Sequence, residues 1–166
     1  MIAFTDPASR ILSPTAALAW REELRRTGRK LVVTNGCFDL VHRGHAEYLS
    51  ESRQLGNALL ILVNSDASVR SLKGDGRPVV DEYSRAYLLA SLRCVDATMI
   101  FDHVRCDGEL TMLRPDLYVK GGDYTLASMD PAEREALLAA GTEIVFKPFV
   151  KGFSTSNLIR KITGTR

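Results

Sequence analysis

The chain has 166 residues, 45% of them hydrophobic and 25% charged, which suits one domain with a real core and is short for two. Its net charge of +2 is too balanced for an expected nucleic-acid partner, and no apolar run approaches the roughly 20 residues that would cross a bilayer. Cys37, Cys94 and Cys106 are odd in number and lack CxxC spacing, which argues against a disulfide framework and a thiolate zinc site. His103 and Cys106 have no second pair to complete a tetrahedral set, so no structural metal is expected there. Residues 1–10 show neither the basic start nor the apolar stretch of a secretory signal, so a cytoplasmic location without membrane attachment is expected.

Ser13 followed by Pro14 reads as a helix cap and a first-turn proline, and Ala17, Leu18, Trp20 and Leu24 continue at helical spacing up to Gly28. Residues 30–34 are a short β-rich run ending at Asn35 and Gly36, and residues 44–54 are helical in pattern, stopping at Gly56. Residues 58–63 form a nearly all-apolar strand, followed by a polar loop, a helix over 82–92 and a strand over 97–101. A helix near 109–113, a strand at 117–119, a helix at 132–140, a strand at 143–146 and a helix after Ser154 complete the chain. Continuous apolar strands suit a parallel sheet covered on both faces. The rhythm predicts an α/β fold: a single domain with a doubly wound parallel sheet of about five strands, residues 1–28 forming an N-terminal extension and helix and residues 29–163 the core. Ligands in such folds bind beyond the C-terminal ends of the strands, so the loops after strands carry the functional reading.

The loop after the first strand holds His42 and His45, with Gly44 between them allowing close backbone approach. At a helix start, free N–H groups and the positive dipole end favour phosphate, and two imidazoles there can hydrogen-bond phosphate oxygens as charge moves to a leaving group. Neither histidine needs to act as a base. The plainer role, capping the helix, is outweighed by the strand–loop–helix context.

The stretch from Thr34 to His45, with His42, Gly44 and His45, resembles the HxGH signature of the cytidylyltransferase-like nucleotidyltransferases, which have a Rossmann-like sheet. Ser154, Thr155 and Ser156, opening the last helix, match that family's triphosphate-binding serine/threonine motif, although Ser154 also suits plain capping. Lys73-Gly74, Arg77-Pro78-Val79, Arg85, the segment from Val119 to Tyr124 and the Thr34-Asn35-Gly36-Cys37-Phe38-Asp39 wording sharpen the likeness. From about Arg10 to Ile162 the chain is similar to the D-glycero-β-D-manno-heptose 1-phosphate adenylyltransferases, whose product serves lipopolysaccharide cores.

The resemblance implies that ATP is a substrate, with magnesium carried mainly on its phosphates. It implies that His42 and His45 stabilise the reacting phosphates, that Lys73 neutralises phosphate charge, and that Ser154, Thr155 and Ser156 hold the triphosphate. The nucleotide is expected to meet Thr34, Asn35, Gly36, Cys37, Phe38, Gly44, Lys120, Gly122 and Asp123. Asp39, Asn64 and Asp66 are expected to reach sugar hydroxyls, and Arg85 either clamps phosphate or pairs with Glu82. Taken alone, Lys73 also suits a solvated loop and Gly121-Gly122-Asp123 a simple turn.

Where some cytidylyltransferases carry Arg-Thr-x-Gly, this chain has Phe149-Val150-Lys151-Gly152, leaving Lys151 as the substitute cation and weakening a cytidylyl transfer to glycerol 3-phosphate. A sugar kinase precedes this domain in many related heptose enzymes; here a separate kinase is expected to supply the substrate. Related enzymes often form homodimers, and the apolar helix faces would serve a dimer or a core equally. A nucleotide-binding regulatory module without catalysis is the alternative from another class.

Overall fold

The computed structural model describes residues 5–148 and 152–164, the side chains of Ser156, Asn157 and Thr163 excepted. A 3-10 turn at Pro7–Arg10 leads into α1 (Pro14–Arg26), capped by Ser13, whose Oγ accepts from Ala16 N–H at 3.2 Å. The order is then β1 (Leu31–Gly36), α2 (Arg43–Arg53), β2 (Ala58–Asn64), α3 (Asp66–Lys73), α4 (Glu82–Ala90), β3 (Ala97–Phe101) and α5 (Asp107–Leu113). β4 (Leu117–Gly121), α6 (Pro131–Ala139), β5 (Glu143–Lys147) and α7 (Thr155–Thr163) follow. No helix among the described residues is long and apolar enough to cross a membrane.

The sheet has five parallel strands in the order β3-β2-β1-β4-β5, a Rossmann-like arrangement. Strand residues alternate between two cores. Leu31, Val33, Leu60, Leu62 and Met99 pack with Ala17, Leu24, Leu110 and Leu137 on one face. Val32, Leu59, Ile61, Val63 and Val119 pack with Leu49, Ala86 and Leu89 on the other. Every residue of β2 is buried, which explains its unbroken apolar run: a central parallel strand has no solvent face.

Aspartates anchor the N-terminal ends of the central strands. Asp116 Oδ2 accepts from Leu31 N–H and from Arg21, and Asp96 Oδ2 accepts from Leu59 N–H and from Arg53, all at 2.7 or 2.8 Å. The opposite ends of β1 and β4 form the switch point, because β2 and β3 add to one side of β1 whereas β4 and β5 add to the other. A crevice for ligand opens at such a point.

The segment expected as a polar loop after β2 contains a helix, α3. Its residues give a weak apolar signal because Val69 is buried while Leu72 is exposed. Ser65 makes up for this by capping, its Oγ accepting from Ser68 N–H at 3.1 Å. Lys73 consequently ends a helix instead of riding a free loop. β4 also runs two residues beyond the expected 117–119, because Lys120 and Gly121 pair with Phe146 and Lys147 of β5.

Candidate active site

At the crevice, His42 and His45 form a reciprocal cap on α2. His42 Nδ1 accepts from His45 N–H at 3.3 Å, and His45 Nδ1 accepts from His42 N–H at 3.4 Å. The rings stack with centroids 3.8 Å apart and planes 11° apart. A neutral imidazole has one N–H, so with both Nδ1 atoms accepting, both protons sit on Nε2. Each ring thus offers a donor on the edge away from the cap, beside the free N–H groups of the helix start.

Burial lowers the pKa of His42, and burial together with the charge of His42 lowers that of His45 to about 4. Both rings are therefore neutral donors at pH 7. The linkage has a definite sign. An unfolded histidine titrates near 6.5, so between about 6.5 and 4 the unfolded chain binds the extra proton and stability falls as pH falls, by at most about 1.4 kcal/mol per pH unit. Melting curves from pH 7.5 to 4.5 should show a steeper acid loss for the wild type than for His45→Gln; parallel curves would refute the shift.

A Cβ on Gly44 would stand 2.9 Å from Phe153 Cβ and 3.2 Å from the His42 ring, so only glycine permits this approach. The Phe153 ring lies 5.9 Å from that of His42 and 5.8 Å from the Arg43 guanidinium. Phe153 thereby brings the start of α7, with Ser154 and Thr155, beside the histidines. Two helix N-termini thus meet from opposite ends of the chain. The side chain of Ser156, and Lys151, lie outside the described residues.

Phe38 occupies the left-handed region at φ 46° with its ring edge-on to His45, centroids 5.2 Å apart. A non-glycine residue held there costs about 1–3 kcal/mol, and such positions cluster at functional sites. Burial raises the pKa of the Cys37 thiol, opposed by the nearby charges of Lys73, Arg85 and Arg77. The thiol is therefore a poor nucleophile.

The aspartates and Arg85 are committed within the protein. Asp39 is buried and accepts from Arg77 Nε and from the N–H groups of Val79 and Val80 at 2.7 and 3.1 Å. It pins the segment after α3 against the β1 loop, which takes up the oxygens expected to meet sugar hydroxyls. Asn64 donates to Ser68 Oγ at 2.9 Å. Arg85 is fully buried, donating to Val80 O, Cys37 O and Asp66 Oδ1 at 2.8, 2.6 and 2.8 Å. It therefore pairs with Asp66 and not with Glu82, whose carboxylate accepts from Asp66 N–H at 2.7 Å. Neither an exposed phosphate clamp nor the alternative pairing with Glu82 describes it.

On the other side of the switch point, Thr34 Oγ1 and Tyr48 OH are 2.7 Å apart, and Tyr48 OH donates to Val119 O at 2.9 Å. This ties α2 to β1 and β4. Burial pushes Tyr48 up to about 12, so it stays a neutral phenol. A Cβ on Gly121 would stand 3.0 Å from its ring. Lys120 Nζ reaches Asn35 Oδ1 at 3.2 Å, Tyr118 OH at 3.1 Å and Glu133 Oε2 at 3.1 Å. Gly122 N–H donates to Lys147 O at 2.8 Å, and Asp123 is exposed.

Tyr48, Tyr118 and Glu133 did not stand out in the sequence as parts of this region, and Arg77 stood out in its motif without a role. Tyr118 reads as one more strand apolar, and Glu133, beside Glu135 at a helix start, reads as solvated. No sequence signal separates the two glutamates.

The cytidylyltransferase-like family pattern matches residues 33–161. Bifunctional protein HldE of Citrifermentans bemidjiense is 46% identical over 135 residues, 81% of this chain and 27% of that protein. HldE of Helicobacter pylori G27 is 45% identical over 144 residues, 87% and 30% of the two chains. The chain thus spans under a third of the length of these relatives. The crystal structure of a lipopolysaccharide core biosynthesis protein from Thermoplasma volcanium superposes with a TM-score of 0.61 at 29% identity, covering 76% of this chain and all of that one.

Proposed function

We propose that this chain, which belongs to the cytidylyltransferase-like family, moves the adenylyl group of ATP onto D-glycero-β-D-manno-heptose 1-phosphate, giving ADP-heptose and pyrophosphate for lipopolysaccharide cores. The observation that carries the reading is the stacked histidine pair, with two Nε2 donors and a helix N-terminus at one point of the crevice. A phosphate oxygen of the sugar attacks the α-phosphorus in line; the bond to the bridging oxygen breaks and pyrophosphate leaves with the electron pair. The histidines, as neutral donors, hydrogen-bond the oxygens on which charge grows. Lys73 offsets the charge of the incoming phosphate, and Ser154, Thr155 and Ser156 hold the triphosphate. The nucleotide lies over Thr34 to Phe38 and against Gly122 and Asp123. Asp39 and Arg85 shape the acceptor side from beneath.

Among the described residues no three carboxylate, imidazole or thiol groups converge on a point, and Asp39 and Asp66 are held by Arg77 and Arg85. These residues fit magnesium that enters on the triphosphate, where it would supply charge neutralisation. A cytoplasmic location follows from where ATP and the sugar phosphate are found, and similarity to the HldE proteins supports the substrate choice.

Pyrophosphate release, measured with magnesium and either ATP or CTP against both heptose 1-phosphate anomers and glycerol 3-phosphate, tests the reading. Selective turnover of ATP with the β-anomer is expected. Turnover of CTP with glycerol 3-phosphate would overturn the substrates, and binding without turnover of any pair would leave a regulatory module.

A further inference from the structure

Glu133 is 4% exposed, and both of its carboxylate oxygens are used. Oε2 accepts from Lys120 Nζ at 3.1 Å, and Oε1 lies 3.4 Å from Cys106 N and 3.3 Å from Cys106 Sγ, both donors. The three hydrogens of the Lys120 ammonium match its three neighbours, Glu133, Tyr118 OH and Asn35 Oδ1. Tyr118 OH accepts from Lys120 and donates to Asn35 Oδ1 at 2.6 Å. Lys120 therefore has no hydrogen left for a phosphate, and its action on a ligand passes through what it holds.

What it holds is the amide of Asn35. An ammonium only donates, so the amide atom facing Lys120 and Tyr118 is the oxygen, and Nδ2 turns the other way. Asn35 is half-buried, and its Nδ2 donates to none of the described residues, which leaves that donor for a ligand. Asn35 ends β1 beside the switch point, one residue after Thr34.

We propose that Glu133 is a positioning residue: through Lys120 and Tyr118 it fixes Asn35 so that the amide Nδ2 donates to an acceptor atom of the bound nucleotide. This rests on the nucleotidyltransferase reading and adds a residue to it. Without the Glu133 carboxylate, Lys120 loses the anion that anchors its ammonium against Tyr118 and Asn35.

The test is a double-mutant cycle read by calorimetric ATP binding to the full chain, which needs no sugar phosphate. Glu133→Gln should weaken ATP binding about tenfold, the scale of one charge-assisted hydrogen bond. In an Asn35→Ala background it should weaken binding less than about twofold, because coupled residues are not additive. Glu133→Asp should recover part of the loss. Tyr118→Phe, which removes one donor to Asn35 and leaves the ion pair in place, should weaken binding about threefold and covers the case in which Glu133→Gln does not fold. Unchanged binding by a folded Glu133→Gln, equal losses in both backgrounds, or full affinity in Tyr118→Phe would overturn the proposal. A wild type that binds ATP but releases no pyrophosphate with any acceptor defeats the transfer reaction alone; one that binds no nucleoside triphosphate defeats both.

Discussion

His45→Ala should lower kcat about 100- to 1000-fold, the usual cost of deleting one preorganised donor to transition-state charge. KM for ATP should move far less, because the donor matters most when charge shifts toward pyrophosphate. His45 also holds its neighbour: its Nδ1 accepts from His42 N–H, its own N–H donates to His42 Nδ1, and the two rings stack at 3.8 Å. His45→Asn keeps a side-chain acceptor at the third helical position for His42 N–H but removes the outward Nε2–H, so it should recover stability without recovering rate. Initial-rate kinetics with melting curves for both variants separate the two roles. A His45→Ala enzyme within fivefold of wild-type kcat would refute the electrostatic role.

Arg85→Ala should be the most destabilising single change in the region, by about 3 kcal/mol, since it removes a fully buried guanidinium and three hydrogen bonds, one of them to the half-buried Asp66. Arg85 is 0% exposed and joins three separate segments through Cys37 O, Val80 O and Asp66 Oδ1. Its loss leaves a carboxylate and two carbonyls without their donor and empties the volume of a fully buried side chain. For a chain of this size the melting temperature should fall by roughly 10 °C. Arg85→Lys should restore little, because one ammonium on a flexible stem does not reproduce a planar fork. Scanning calorimetry of the two variants checks this; a fall under 2 °C for Arg85→Ala would show that the β1 loop is held by other means.

The strands and most helices were legible in the sequence because their signals are local. An unbroken apolar run such as that from Ala58 to Val63 reports burial on both faces, and Ser13-Pro14 reports a helix start within three residues. α3 escaped because it is only eight residues long and mostly polar, with Val69 as its one buried aliphatic side chain, so it reads as part of a polar loop. The His42-Gly44-His45 spacing was readable for the same local reason: residues three apart at a helix start must share one turn.

Local patterns in the chain are enough to set the alternating α/β order, the position of the histidines after the first strand and the start of the last helix near Ser154. Which charges are neutralised inside the protein depends on contacts between distant segments. Arg77 and Asp39 are 38 positions apart, Arg85 and Cys37 48 apart, and Lys120 and Asn35 85 apart. Whether an aspartate is free for a ligand depends on which cation the fold carries to it, and that is set by crossovers and register that no local pattern encodes. A buried carboxylate such as Glu133 and a solvated one look alike in a row of residues; they differ in the neighbours that replace water.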